Sequence, residues 1–474
     1  MRHAAAAAAA AVAAVALAAT ACGGGGGGAS LPAGASKAPA DAVGFVSLKA
    51  DTSTEQWRQA TKLAAKFPAL APQLVKLERY RRALGSEVDY VWLDFANNGD
   101  DGVLLTKPRN LARLKTLLAP DTSSYSSLGD GWVAVGDYAA TFKRRARSDH
   151  LDRDKDFKAA FGNLDDAAAV RAWARGGPVQ SALDRELAGG GAAPRITHDL
   201  GDLKALAGFG RAESDGARLE LRGTIDPAPD AATFKPTLPD STPGGAVLYV
   251  SSTHLDAPTR AIIRMVADSK PNFEPQLKQV EGVLGLTLQD DVYPLLKDES
   301  AVALYRGGRI PQILFEQKVG DEAKADSLLR RIGAIAQASG DVEVATTQIG
   351  GTTMQTLTFS RSAVTVYDGV AKGRILVTNS RRLAQDTITG PGQKLSDDPQ
   401  FRAARDAAKL PGEVAAFAYG DLRNGLPYAF EIAQATGSTV TASDCANTKP
   451  LQNALVYLVK DGDDLKLSGF TTIK

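Results

Sequence analysis

Cysteine, histidine and methionine are scarce: two Cys, four His and three Met in 474 residues. The two thiols, Cys22 and Cys445, provide no disulfide framework to staple the fold. His3, His150, His198 and His254 lie far apart. None has the H-E-x-x-H or C-x-x-C company that a zinc site needs. G-x-S-x-G and S-x-x-K are absent too, which removes the common signatures of serine hydrolases and penicillin-binding enzymes. A Ser-His-Asp triad assembled only in space stays open. Charge of one sign is also lacking, with 55 basic against 54 acidic residues. Removing residues 1–21, which hold Arg2 and no acid, leaves 54 of each. A neutral chain without a basic block argues against nucleic acid as the main partner. Beyond the N-terminus no run approaches the roughly 18 apolar residues of a membrane span.

What is present begins at the N-terminus. Met1-Arg2-His3 carries the charge, and Ala4–Ala19 is an uncharged run containing Val12, Val15 and Leu17. Charge, apolar run and small residues in that order are the layout of a secretory signal. Ala19-Thr20-Ala21-Cys22 follows and resembles a bacterial lipobox, with Ala19 where Leu is commonest. A diacylglycerol on Cys22 would hold the chain in a membrane leaflet, with Gly23–Gly28 as a flexible spacer. The alternative is an ordinary cleaved signal with an incidental cysteine. Residues 22–40 read as lipidated Cys and tether, and the Pro-rich stretch 227–243 as a linker.

The two sides of that linker repeat one another. Ala42-Val43-Gly44-Phe45-Val46-Ser47 answers to Ala246-Val247-Leu248-Tyr249-Val250-Ser251. Pro68-x-x-x-Pro72-Gln73-Leu74 answers to Pro271-x-x-x-Pro275-Gln276-Leu277, and Phe157-Lys-Ala-Ala160 to Phe401-Arg-Ala-Ala404. Asp215-Gly216-x-x-Leu219-x-Leu221-x-Gly223 answers to Asp461-Gly462-x-x-Leu465-x-Leu467-x-Gly469. Conserved order with drifting spacing predicts a tandem duplication: repeats over 41–226 and 244–474, the second with inserted strands near 338–370. Thr52-Ser-Thr-Glu55 reads as a capping box before a helix bearing Trp57, Ala60 and Leu63 on one face. Strict alternation in Arg218–Arg222 and Leu465–Leu467 predicts strands with one wet face. The expected class is α+β: two homologous lobes, each a mainly antiparallel sheet with helices packed on one face.

The export signal, the A-V-G-F-V-S strand, the P-x-x-x-P-Q-L segment and the closing D-G-x-x-L-x-L-x-G hairpin resemble a bacterial family catalogued as domain of unknown function 3352. The resemblance runs over about residues 40–474. It implies an extracytoplasmic, often lipid-anchored protein, and it supplies no catalytic residue.

Asp152-Arg-Asp154-Lys-Asp156 is the best metal candidate, since alternating carboxylates suit Ca²⁺. Phe157 stands at the sixth loop position and Asn163 at the twelfth, where Gly and Glu are needed. A charged stretch capping a helix is the better account, so no metal and no cofactor are expected. Cys445 reads as an unreactive loop residue. The tryptophans Trp57, Trp92, Trp132 and Trp173 all fall in the first repeat; Arg374 and Phe417 stand at the duplicate positions of the last two. They read either as core or as the lining of an apolar pocket. These signals predict a lipid-anchored extracytoplasmic protein without enzymatic activity, binding or carrying an apolar ligand such as a lipid at the cell envelope. The alternative is a structural module that docks an envelope protein.

Overall fold

A computed structural model describes residues 30–474, apart from 74–78, 81, 96–100, 119–123, 188–200, 228–230, 270–271, 309 and 363. The signal segment and Cys22 lie outside the described residues. The chain forms two compact units. The first comprises Met1–Pro229, Thr441–Leu451 and Asp461–Lys474, and the second Asp230–Val440 and Gln452–Lys460. The compact units are therefore discontinuous: the contiguous second repeat, 244–474, contributes two segments to the first unit.

The strands before residue 230 are β1 (Gly44–Lys49), β2 (Glu87–Trp92), β3 (Gly102–Thr106), β4 (Tyr125–Gly129), β5 (Trp132–Val135), β6 (Val170–Arg175), β7 (Asp202–Glu213) and β8 (Gly216–Asp226). Those that follow are β9 (Leu248–Ser252), β10 (Ser300–Tyr305), β11 (Gln312–Lys318), β12 (Val342–Ile349), β13 (Thr352–Phe359), β14 (Val364–Ala371), β15 (Arg374–Thr378), β16 (Ala416–Gly420), β17 (Leu451–Asp461) and β18 (Asp464–Ile473). In the first unit the antiparallel order is β4-β5-β3-β2-β1-β6-β7-β8-β18. In the second it is β12-β13-β14-β15-β11-β10-β9-β16-β17. The class is α+β, as expected. Seven consecutive strands match between the units: β4-β5-β3-β2-β1-β6-β7 against β14-β15-β11-β10-β9-β16-β17.

Helices cover both faces of each sheet, not one. In β1, Phe45 packs with Phe142, Phe157 and Phe161 from the helices Ala139–Arg145 and Lys155–Gly162. Three positions on, Leu48 points the other way and packs with Trp57 and Leu63 of helix Glu55–Ala64. In β15, Ile375 meets Leu328 and Leu329 of helix Glu322–Ala338. Its neighbour Leu376 meets Ala384 and Ile388 of helix Arg381–Thr389. The wet alternation that predicted one covered face belongs to β8 and β18, far along the strand order from β1. β5, paired with β3 and β4, is buried at every position.

The stretches expected to be tether and linker are folded where described. Ala33–Ser36 and Leu238–Asp240 each form a 3-10 turn. Gly34 N donates to Glu87 Oε1 at 2.7 Å, and Leu238 N donates to Glu299 Oε1 at 3.0 Å. Each segment then bridges onto the chain just ahead of a capped helix, Pro39 to His150 and Pro243 to Lys394. Small and Pro-rich composition suits a tight buried turn as well as a floppy tether, and the glutamates decide between them. Two further readings shift. Thr54 caps helix Glu55–Ala64, accepting from Trp57 N at 3.4 Å, in place of the expected Thr52. Cys445 sits exposed on a short helix, Ala442–Thr448, whose capping box is Thr441 with Asp444.

Candidate functional site

The four tryptophans occupy three environments. Trp132 and Trp173 share the main core of the first unit, the latter edge-on to Phe157 at 5.3 Å. Trp57 lies on the opposite sheet face, its Nε1 donating to Lys49 O at 2.5 Å. Trp92 is half-buried against Tyr90, with ring centroids 4.6 Å apart. The strand register also revises one duplicate pairing. Trp173 lies opposite Phe45 and Tyr419 opposite Tyr249, so Tyr419, not Phe417, is its counterpart.

The acidic pattern 152–156 behaves as a helix start. Asp154 accepts from Asp156 N and Phe157 N, both at 2.9 Å, and pairs with Arg175 at 3.0 Å. Among the described residues no group of three His, Cys, Asp or Glu could hold a metal.

Beside the second strap, a cleft of about 520 Å³ is lined by Thr237, Ser241, Asp298, Lys318, Lys372 and Arg374, among others. Most of its polar groups are already engaged. Glu299, 5% exposed, accepts from Thr237 N, Leu238 N and Lys318 Nζ. Arg374 pairs with Glu316 at 2.6 Å and donates to Ser241 Oγ at 2.6 Å. The equivalent register positions in the first unit are Leu105 for Glu316 and Trp132 for Arg374. One unit fills with hydrocarbon what the other fills with an ion pair. This cluster locks a strap, and it leaves little polar capacity for a substrate.

A different face of the second unit's sheet is covered at one end, where Val377 packs with Ile375 beneath helix Glu322–Ala338, and exposed at the other. Six strands place one residue each in a continuous row: Val456, Ala418, Val250, Val302, Phe315 and Val377. Directly opposed residues share a sheet face, so the row is one apolar stripe. Leu248, Leu304 and Ile313 make a second row on that face. Leu248, Val250 and Val302 are each 38% exposed, Val456 36% and Ile313 41%. The row continues onto Asp368 and Gln355. Asp368 Oδ1 and Gln355 Oε1 are buried and accept no hydrogen bond. Burial, with Asp326 nearby, pushes the Asp368 carboxyl up to about 7. The row thus passes beneath helix Glu322–Ala338, whose Gly333 lies against Gln355 Oε1, to two buried acceptors.

The whole stripe was missed by sequence reading. Its signal is present as alternation in Leu248-x-Val250 and Val302-x-Leu304, but strand order alone brings those pairs side by side. Helices Asp256–Ser269 and Phe273–Leu284 of the same unit also expose Ile262, Val280 and Val283.

A family model described as "protein of unknown function (DUF3352)" matches residues 145–455. The chain belongs to that family. The match is shorter than the span 40–474 over which the motifs resemble it. No curated protein matches the chain. Among solved structures, crystal form I of TP0453 is similar over 42% of this chain and 81% of its own, with 10% identity and a TM-score of 0.27. Crystal form IV is similar over 51% of this chain and 94% of its own, with 11% identity and a TM-score of 0.26. Likeness at that level carries no functional argument. Among the described residues no helix is long and apolar enough to cross a membrane.

Proposed function

We propose that this is a lipid-anchored extracytoplasmic protein of the cell envelope that binds or carries an apolar ligand and performs no catalysis. The stripe on the second unit's sheet carries the ligand reading, and the signal-plus-Cys22 pattern carries the location. From Val456 to Phe315 four spacings of about 4.8 Å make the stripe roughly 19 Å long, enough for an acyl chain that spans half of a ~30 Å hydrocarbon core. The strands under it are paired on both sides, so a partner cannot add a strand there. Its row holds Val, Ala and Phe, without the Trp, Tyr or Arg anchors that dominate protein interfaces. Hydrocarbon needs no polar partner on such a surface. This favours an amphiphile over a docked envelope protein and moves the ligand site away from the four tryptophans.

The test is to secrete the protein from its native host with Cys22→Ala behind a cleavable signal, extract it with organic solvent and weigh what is released. A stoichiometric lipid, lost in Val250→Asp and Val302→Asp variants that still fold, is the expected result. An empty protein, or the same lipid on the Asp variants, refutes the stripe as its site. Acylation is read separately, from the mass of the native N-terminal peptide.

A further inference from the structure

The sequence is neutral overall, yet four cations crowd into five residues. Lys143, Arg144, Arg145 and Arg147 are all exposed at the end of helix Ala139–Arg145, whose other side buries Ala139 and Phe142. Arg145 is paired with Asp41 at 2.7 Å. Arg144 Nη2 donates to Thr141 Oγ1 at 2.9 Å, which leaves its charge uncompensated. Asp149 is the one acid within residues 139–150, so four cations less one acid give that stretch +3.

Its position matters more than its charge. Leu151 N donates to Ala38 O at 3.0 Å and Ala40 N to Asp149 O at 3.2 Å, so the cluster is laced to the strap that leads from Cys22. The described chain starts at Ser30, whose carbonyl accepts from Arg171 Nη1 at 2.9 Å. Seven residues lie between Cys22 and Ser30, and the eight chain steps that join them reach about 28 Å at most. A lipid on Cys22 therefore keeps the first unit close to the bilayer.

Cations at a helix C-terminus also complement the helix dipole. The second unit is an internal control for that explanation. Its helix Arg381–Thr389 likewise follows a matched strand, β15, and precedes the turn Leu395–Asp397, yet has no basic residue in its last turn. The fold makes this helix without the cluster.

We propose that Lys143, Arg144 and Arg147 form a docking surface for the anionic phospholipid head groups of the bilayer in which Cys22 is anchored. This rests on the anchored reading, but its test does not. Residues 22–474 carrying Cys22→Ser are sedimented with vesicles of phosphatidylcholine or of its equal mixture with phosphatidylglycerol. Binding to the mixture alone, weakened by salt, is expected. Each cation near such a surface contributes about fivefold, so Lys143→Gln with Arg144→Gln and Arg147→Gln lowers partitioning about 100-fold. The substituted side chains are exposed, so the melting temperature stays put. Removing equal charge elsewhere, by Arg330→Gln, Arg361→Gln and Arg382→Gln, leaves binding intact. No preference for phosphatidylglycerol, an equal loss in that control, or equally tight binding to a charge-matched oligonucleotide overturns the proposal. Unmodified Cys22 in the native protein would overturn the anchor and leave the vesicle result to stand on its own.

Discussion

The Glu316–Arg374 pair offers the sharpest test of how the second unit is held together. Glu316 is 1% exposed and Arg374 6%, and their side chains meet at 2.6 Å. Burial pushes the Glu316 carboxyl up, against the lowering effects of Thr242 and Arg374. Removing one partner of such a pair leaves an uncompensated buried charge and costs about 3–5 kcal/mol, whereas replacing both by hydrocarbon is often neutral. Arg374→Met is therefore expected to destabilise the second unit by that amount. Glu316→Leu with Arg374→Met is expected to come within about 1 kcal/mol of the wild type, because the first unit already holds Leu105 and Trp132 at these positions. Thr242 Oγ1 keeps a partner in the double variant, since it also donates to Leu238 O at 2.9 Å. The sign with pH follows. A carboxyl whose folded pKa is raised contributes stability below its unfolded value near 4.5, and loses it as pH climbs through the folded value. Arg374→Met should thus recover part of its loss towards pH 4.5. All four tryptophans precede residue 230, so their fluorescence does not report on the second unit. Amide exchange along β11 and β15 against urea is the assay. A double variant as unstable as the single one, or a single variant costing under about 1 kcal/mol, would refute the argument.

Other outcomes follow from the same geometry. Gly34→Val should destabilise the first unit by about 1–3 kcal/mol in thermal unfolding, because a Cβ there overlaps Asp89 Oδ2 and crowds Trp132; a true tether would tolerate it. Asp368 titrates near 7 when folded, so its contribution to stability falls as pH rises from about 3.8 to 7. Asp368→Asn should flatten that slope, gaining at most about 4 kcal/mol above pH 7; an unchanged urea–pH profile would contradict it. Trp92 is half-buried while Trp57, Trp132 and Trp173 are buried. Acrylamide should therefore quench one tryptophan in four, and Trp92→Phe should abolish that component. Trp173→Ala should cost the first unit about 3–5 kcal/mol in urea unfolding followed by the remaining tryptophan fluorescence, the cost of emptying a core site.

Local chemistry was legible in the sequence by itself. Alternation and turn residues revealed the strands, the Asp-Gly pairs marked the closing hairpins, and tandem motifs exposed the internal repetition. These are short-range signals, set by backbone sterics and the two-residue period of a strand. Asp154 as a helix cap belongs to the same class, since the N–H groups it accepts from lie two and three residues away.

Tertiary structure decided whatever depends on partners distant in sequence. Composition alone could not say that 31–40 and 231–243 are folded straps, because the carboxylates that hold them, Glu87 and Glu299, arrive from strands about 50 to 60 residues later. Helices on both sheet faces became visible only once β1 and β15 were seen as interior strands, paired on both sides. The four tryptophans share a repeat in sequence, yet in space they fall on two sheet faces and a half-exposed site. The apolar stripe is the clearest case. Val250, Val302, Phe315, Val377, Ala418 and Val456 are spread over 206 positions of the chain. Each reads as an ordinary strand residue until antiparallel register sets them side by side.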